Sequence, residues 1–213
     1  MSIAFFPKAS TGEGIIQNGG VNAIVIDSSQ NVTIPQNLTV SGTLTSGGVV
    51  TSPTGALYPL VSGTAVTISG TPATVDFANV IPATARRVTL SFANINLTAA
   101  GNLILQLGTG STPTWVTTGY VGSASTGSTS ASASTSMVLQ AANTNTAQVM
   151  GNIMLMNPTG NLWVASGTIG DAVINRVNMS GNYVTLAALL TSLRLSTSSG
   201  TTFTSGTVNI FWE

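Results

Sequence analysis

Apolar and polar residues alternate along many short stretches of the chain from residue 53 to the C-terminus. The alternation is clearest over residues 87–92 and 207–212, where Val88 and Val208 each begin a run of alternating apolar side chains. A period of two residues predicts a β-strand that turns one face toward a core. Residues 149–156 are apolar on both parities, which predicts a strand buried on both faces. Further strands are predicted over residues 65–68, 73–77, 103–107, 115–121, 135–140, 161–167, 172–179 and 193–195.

Turn-forming residues separate these segments. Gly, Pro, Asn and Ser recur between the apolar stretches, and about eleven short strands at such intervals favour a β-sandwich or jelly-roll-like fold. Leucines at a helical spacing predict one short helix over residues 185–193. Residues 122–136 are nearly all Ser, Thr, Ala and Gly, which predicts a surface loop. The expected class is therefore all-β, with residues 53–213 forming a C-terminal knob.

Residues 23–52 carry a different pattern, in which an apolar residue recurs every sixth position. These residues are Ile26, Val32, Leu38, Leu44 and Val50. Each strand piece between the turn residues is too short to be stable alone, so the row is buried by stacking of the pieces or by winding with partner chains. We interpret this segment as a short trimeric β stem. The alternative is an extended linker whose periodicity is accidental.

Residues 1–22 form the third segment, predicted to be an extended N-terminal arm. Ile3, Phe5 and Phe6 make an apolar cluster, and a glycine-rich stretch follows it. Such a segment has no core of its own, so the cluster predicts an anchor that docks on another protein. A frayed terminus is the alternative.

The charge of the chain excludes several classes of partner. Only 5% of the residues are charged, and five Lys and Arg residues balance five Asp and Glu residues. A neutral chain does not attract nucleic acid, which requires a surplus of basic charge. No apolar run approaches the ~20 residues of a membrane span, so no membrane insertion is expected. Because a neutral surface resists self-association poorly, the composition favours burial between copies of the chain.

The residue types also exclude most enzymatic chemistry. The chain has no His and no Cys, so His-dependent triads and the usual zinc ligands are missing. The carboxylates are scattered, and we expect Asp76 and Asp171 to neutralise Arg86, Arg87 or Arg176. The sequence therefore predicts no catalytic residues, no metal site, no cofactor and no enzyme. Trp115 and Trp163 lie near predicted turns and are candidate glycan contacts, with core packing as the alternative.

Several stretches resemble a C-terminal module of tailed-bacteriophage fibre and head-decoration proteins, and residues 29–42 are similar to stem segments of phage fibres. The stretches that resemble the C-terminal module are Asp76–Pro82, Ala85–Phe92, Leu103–Gly108, Thr118–Tyr120, Leu193–Leu195 and Phe203–Glu213. The resemblance implies a homotrimer with an N-terminal virion anchor and a C-terminal knob, and it brings no catalytic residues.

The expected function is that of a structural virion protein on the particle surface, made in the host cytoplasm. The form we expect is a trimeric capsid decoration (cement) or head-fibre protein whose arm binds the major capsid protein or another virion protein. The alternative is a short tail fibre or receptor-binding tip that attaches the phage to host surface glycans. A polysaccharide depolymerase is the third hypothesis, and this activity would require clustered carboxylates.

Overall fold

A computed structural model gives the fold of this protein. It describes residues 3–8, 13–18, 21–26, 32–34, 50–52, 55–57, 60–125, 129–143, 148–172, 176–198 and 200–213. The chain divides into two compact units, residues 1–57 and residues 58–213. The described residues form antiparallel β-sheets and contain no helix, so the predicted all-β class is confirmed.

The N-terminal unit contains a four-stranded antiparallel meander and a separate two-stranded sheet. In the meander, each strand pairs with the next one along the chain, and Phe5 of the first strand lies opposite Ile16 of the second. The strands are β1 (Ile3–Lys8), β2 (Glu13–Asn18), β3 (Val21–Ile26), β4 (Val32–Thr33), β5 (Val50–Ser52) and β6 (Gly55–Leu57).

The C-terminal unit is a β-sandwich of a nine-stranded and a five-stranded sheet. The larger sheet has the order β14-β13-β18-β17-β16-β10-β20-β7, with β8 also paired to β20. Its strands are β7 (Val61–Ser62), β8 (Val66–Thr67), β10 (Arg87–Leu97), β13 (Val121–Ser125), β14 (Ser130–Ala131), β16 (Val149–Thr159), β17 (Leu162–Asp171), β18 (Arg176–Thr185) and β20 (Phe203–Trp212).

The smaller sheet has the order β12-β11-β19-β9, and β15 pairs with β11 beside this path. Its strands are β9 (Val75–Phe77), β11 (Gly101–Thr109), β12 (Thr114–Trp115), β15 (Met137–Asn143) and β19 (Leu190–Thr197).

The hydrophobic core lies between the inward faces of these two sheets. In β10, Val88, Leu90 and Phe92 are buried while the residues between them are only partly buried, as the predicted alternation requires. Phe203 of β20 and Leu105 of β11 are fully buried in the same cluster. The alternating segments of the sequence therefore supply the core from both sheets.

Close strand packing also depends on glycine at one inward position of the larger sheet. Gly167 of β17 lies opposite Ile153 of β16. A Cβ atom there would collide with the carbonyl oxygen of Asn152 and approach the Cδ1 atom of Ile153 to 2.7 Å. Gly181 of β18, in contrast, has open space where its Cβ atom would lie. Glycine is therefore required at position 167 but not at position 181.

The predicted helix over residues 185–193 is wrong. Strand β18 ends at Thr185, a short connection follows, and β19 begins at Leu190. Leu186 and Leu190 are both buried, but Leu186 is the first residue of the connection and Leu190 is the first residue of β19. Their four-residue spacing therefore reflects a turn with a buried residue at each end and not a helical face.

Two further sequence predictions require correction. The segment 122–136 was predicted to be a surface loop, yet it includes most of β13, whose Ala124 is fully buried. Small side chains permit this strand because Gly122 packs against the backbone of β18, where a Cβ atom would lie 2.5 Å from the Cα atom of Asn182. Residues 149–156 were predicted to be buried on both faces, but in the single chain Met150, Met154 and Met156 are exposed. Only one face of β16 lies against the core.

Candidate functional site

A row of polar and aromatic side chains crosses the outer face of the smaller sheet and forms its most distinctive chemical feature. Asp76 lies between two buried residues of β9, and Arg194 lies between two buried residues of β19. Because side chains alternate between faces, both point away from the core. The two residues are also register partners across the β9–β19 pair. The fold thus places opposite charges directly across from each other.

The Asp76–Arg194 pair has two-point geometry. The Nε atom of Arg194 donates to Oδ1 of Asp76 at 2.8 Å, and its Nη2 atom donates to Oδ2 at 2.7 Å. The hydrogen bond with Asp76 raises the pKa of Arg194 above its ordinary value. A planar guanidinium held at both ends of a carboxylate is fixed in orientation, so this pair is a rigid element of the surface.

Trp115 continues the row on the side away from Asp76. Its ring lies under the guanidinium of Arg194, whose Cζ atom is 4.2 Å from the ring centroid. The six-membered part of the indole also lies close to Gly108, where a Cβ atom would lie 2.9 Å from two ring carbons. Arg194 therefore contacts both an aromatic ring and a carboxylate, which suits the stacking preference of Arg. The arrangement can offer hydrogen-bonding groups to a neutral polar ligand, but any sugar stacking on the ring would compete with Arg194.

The two tryptophans proposed as glycan contacts lie in different environments. Trp163 is 4% exposed and belongs to the core, so it offers no ring face at the surface. Trp115 is partly exposed. Of the two, the structure brings only Trp115 together with charged side chains at the surface.

The charge partner of Asp76 differs from those expected from the sequence. Asp76 pairs with Arg194, which the expectation did not include. Arg87 pairs with Glu213, with Nη2 and Oε2 2.6 Å apart. Arg86 donates to Oδ1 of Asn157 at 2.7 Å. Asp76 and Arg194 are 118 positions apart, so only the topology reveals their pairing. In the sequence, each is a charged residue between two apolar ones, but this pattern does not identify the partner.

Asp76 and Asp171, the two carboxylates within the sandwich strands, lie on different sheets. Asp76 is on β9 of the smaller sheet, and Asp171 is on β17 of the larger one, 3% exposed and opposite Arg176 in the strand register. Within the described residues, no group of three His, Cys, Asp or Glu side chains could hold a metal ion.

Buried polar side chains join the two sheets, a feature that sequence reasoning missed. Asn182 of β18 donates to the carbonyl of Val138 at 3.0 Å and accepts from its N–H at 3.3 Å. Ser180 donates to the same carbonyl at 2.7 Å. Tyr120 is also buried, and its hydroxyl accepts from the N–H of Leu107 at 2.9 Å. These bonds satisfy backbone groups between the sheets and fix the alignment of β15 with β18.

The outer face of the larger sheet is the second feature that the sequence did not reveal. It exposes large apolar side chains on four neighbouring strands, β16, β17, β18 and β13. These residues are Met150, Met154, Met156, Val164, Val177, Met179, Tyr183 and Val121. We call this surface the methionine face.

The proposed anchor and stem residues lie in the N-terminal unit. Ile3, Phe5 and Phe6 are in β1. For the stem, Ile26 of β3 is the register partner of Val32 of β4, and Val50 is in β5. Val32 is 60% exposed. Leu38 and Leu44 lie outside the described residues, so their place in a stem stays a prediction.

No family model matches the chain, and no curated protein or solved structure gives a significant match. In the part of the chain that the structure describes, no helix is long and apolar enough to cross a membrane.

Proposed function

We propose that this protein is a structural component of a tailed-phage virion surface, assembled as a homotrimer and working as a capsid decoration or head-fibre protein. The proposal rests on the resemblance of its sequence stretches to phage fibre and head-decoration modules. It also rests on the way in which the C-terminal unit uses its few charges.

The observation that carries the structural role is the pairing of charges on the sandwich. Arg87 pairs with Glu213, and Arg194 pairs with Asp76, each at 2.7 Å or less. Ion pairs of this kind cancel the local field, so the sandwich surface has little power to steer a charged ligand. Such a surface suits permanent contact with neutral protein surfaces, as in a particle coat.

The alternative is a short tail fibre or receptor-binding tip that binds host surface glycans. It is favoured by one observation, the partly exposed ring of Trp115 beside the fixed Asp76–Arg194 pair. Aromatic rings with neighbouring hydrogen-bonding groups suit sugars. Three weak sites on one trimer would gain affinity through effective concentration, by roughly 10²–10⁴ on a repetitive host surface.

The position of the protein on an intact particle separates the two functions. Particles labelled with gold-conjugated antibodies against the full chain are imaged by electron microscopy. Label over the capsid shell supports decoration, and label at the tail tip supports attachment. Absence of label from purified particles would overturn both.

A second experiment tests the anchor. Deletion of residues 2–20, which removes Ile3, Phe5 and Phe6, is expected to abolish co-sedimentation with particles that lack the native protein. The full chain serves as the positive control. Normal copy number of the truncated chain on particles would show that the anchor lies elsewhere.

The full chain and a Trp115→Ala variant test the attachment alternative. Soluble full chain is added to host cells before infection, and adsorption of particles is measured. Blocked adsorption that is relieved by Trp115→Ala would support glycan binding at Trp115. Unchanged adsorption, together with particles that lose heat resistance when the protein is absent, would support decoration.

A further inference from the structure

We infer that the methionine face is a contact surface between copies of this chain, covered by the sandwich of a second copy in the assembled protein. The inference deepens the proposed trimer, on which it rests, by naming the surface through which the C-terminal units meet.

The strand registers place the apolar residues of this face in adjacent rows. One row runs Met156, Val164, Tyr183 and Val121 across β16, β17, β18 and β13. In other rows, Met179 of β18 lies next to Thr168 of β17, and Val177 lies next to Gly170. Cross-strand neighbours are close enough to touch, so the row from Met156 to Val121 is continuous, while the other apolar residues of the face stand among small or polar side chains.

The size of this patch matches a stable protein interface. Exposure reaches 68% for Met179, 59% for Val177 and 46% for Tyr183. The eight apolar residues together expose roughly 700–800 Å², which is close to the ~800 Å² that each partner contributes to a standard interface. Monomeric proteins rarely leave a patch larger than about 300–600 Å² uncovered. A patch of this size marks a contact surface.

The chemistry of the patch identifies a neutral partner. Among the described outward positions of β10, β13, β16, β17 and β18, the one charged residue is Arg87, at the margin and paired with Glu213. A strongly charged partner would find no complement here. The chain itself has a net charge of zero, so a second copy meets this condition.

The shape of the methionine face suits contact with the same face of a second copy. Long flexible side chains such as Met154 stand in the same cross-strand row as Ser166 and Gly181, which leave low positions between them. Methionine adapts its shape to irregular gaps. A surface that carries both projections and low positions can interlock with a copy of itself, as closed symmetric assemblies require.

Methionine oxidation gives a direct test on the full chain. Hydrogen peroxide converts accessible Met to the sulfoxide, and peptide mass spectrometry gives a rate for each Met. In the assembled protein, Met150, Met154, Met156 and Met179 are expected to oxidise about tenfold more slowly than in the urea-unfolded chain. Met137, which is fully buried within one chain, is the internal standard for protection.

Several outcomes are decisive. Rates for the four face methionines within about threefold of the unfolded chain, in a protein shown by light scattering to be a trimer, would overturn the inference and leave the trimer standing. Protection in a dimer would support the contact and overturn the trimer. Protection that persists in a monomer, or that appears only after particles are added, would overturn contact between copies.

Matched substitutions provide the second measurement. Met154→Lys and Met179→Lys place charges on the face. Val80→Lys and Leu189→Lys place them at positions that are similarly exposed, 42% and 51%, but outside it. Sedimentation velocity is expected to show at least tenfold weaker association for the face variants only. Equal association in all four variants would contradict the inference, provided that circular dichroism shows each to be folded.

Discussion

The hydroxyl of Tyr120 should stabilise the sandwich because it satisfies backbone groups that strand pairing leaves open. It accepts from the N–H of Leu107 at 2.9 Å and donates to the carbonyl of Val116 at 3.1 Å. Leu107 is fully buried and Tyr120 is 3% exposed, so water cannot replace the lost partner. Tyr120→Phe removes the oxygen and keeps the ring.

The size of the effect follows from the burial. A buried donor without a partner costs about 1–3 kcal/mol, so we expect Tyr120→Phe to lower the free energy of unfolding by that amount at pH 7. Thr207→Val is the control, because it removes an exposed hydroxyl that lies outside the methionine face. Its substitution should change the free energy of unfolding by less than about 0.5 kcal/mol.

The same burial predicts a pH dependence. Desolvation raises the pKa of Tyr120 to about 12, from an ordinary value of 10.0. Because the folded state holds the phenol neutral, this contribution to stability is complete below pH 10 and is lost as the pH rises toward 12. The loss amounts to about 2–3 kcal/mol. Tyr120→Phe should therefore show a shallower decline of stability over this interval than the native chain.

The assay is urea unfolding followed by tryptophan fluorescence, at one fixed protein concentration because association adds to apparent stability. A shift of the midpoint with an unchanged slope reports stability alone. The reasoning is refuted if Tyr120→Phe costs no more than Thr207→Val at pH 7. It is equally refuted if both variants decline with the same slope as the native chain at alkaline pH.

Three other substitutions test the packing and the stem. Gly167→Ala should destabilise the sandwich by about 2–4 kcal/mol, since its Cβ atom would collide with the carbonyl of Asn152; a urea midpoint equal to that of the native chain would contradict this. Asn182→Ala should cost about 2–3 kcal/mol, because two hydrogen bonds to the backbone of β15 are lost; an unchanged urea midpoint would contradict this. Leu38→Asp should weaken assembly by placing like charges on the predicted stem axis. If analytical ultracentrifugation gives the same association constant for this variant and the native chain, the stem prediction is contradicted.

The sequence predicted the fold class because the alternation of apolar residues reflects burial directly. Strands β10 and β20 contain the alternating segments at 87–92 and 207–212. The helix prediction failed because Leu186 and Leu190 lie at the two ends of a turn between strands, and spacing alone cannot separate a turn from a helical face. Residues 149–156 misled in another way, since an apolar parity does not say whether the partner surface lies in the same chain.

The candidate site was only partly predictable for a reason of topology. The sequence offers Trp115 as a candidate glycan contact with core packing as the alternative, and its partner Arg194 comes from a strand 79 positions later in the sequence. The β9–β19 pairing that joins Asp76 to Arg194 is likewise long-range. Trp163 carried the same local signal as Trp115, yet β17 turns it into the core.

The mass of the purified full chain tests the central claim most directly. Multi-angle light scattering at micromolar concentration is expected to give three times the 21.5 kDa mass of one chain. A mass of 21.5 kDa that stays constant with concentration would contradict a homotrimeric structural protein.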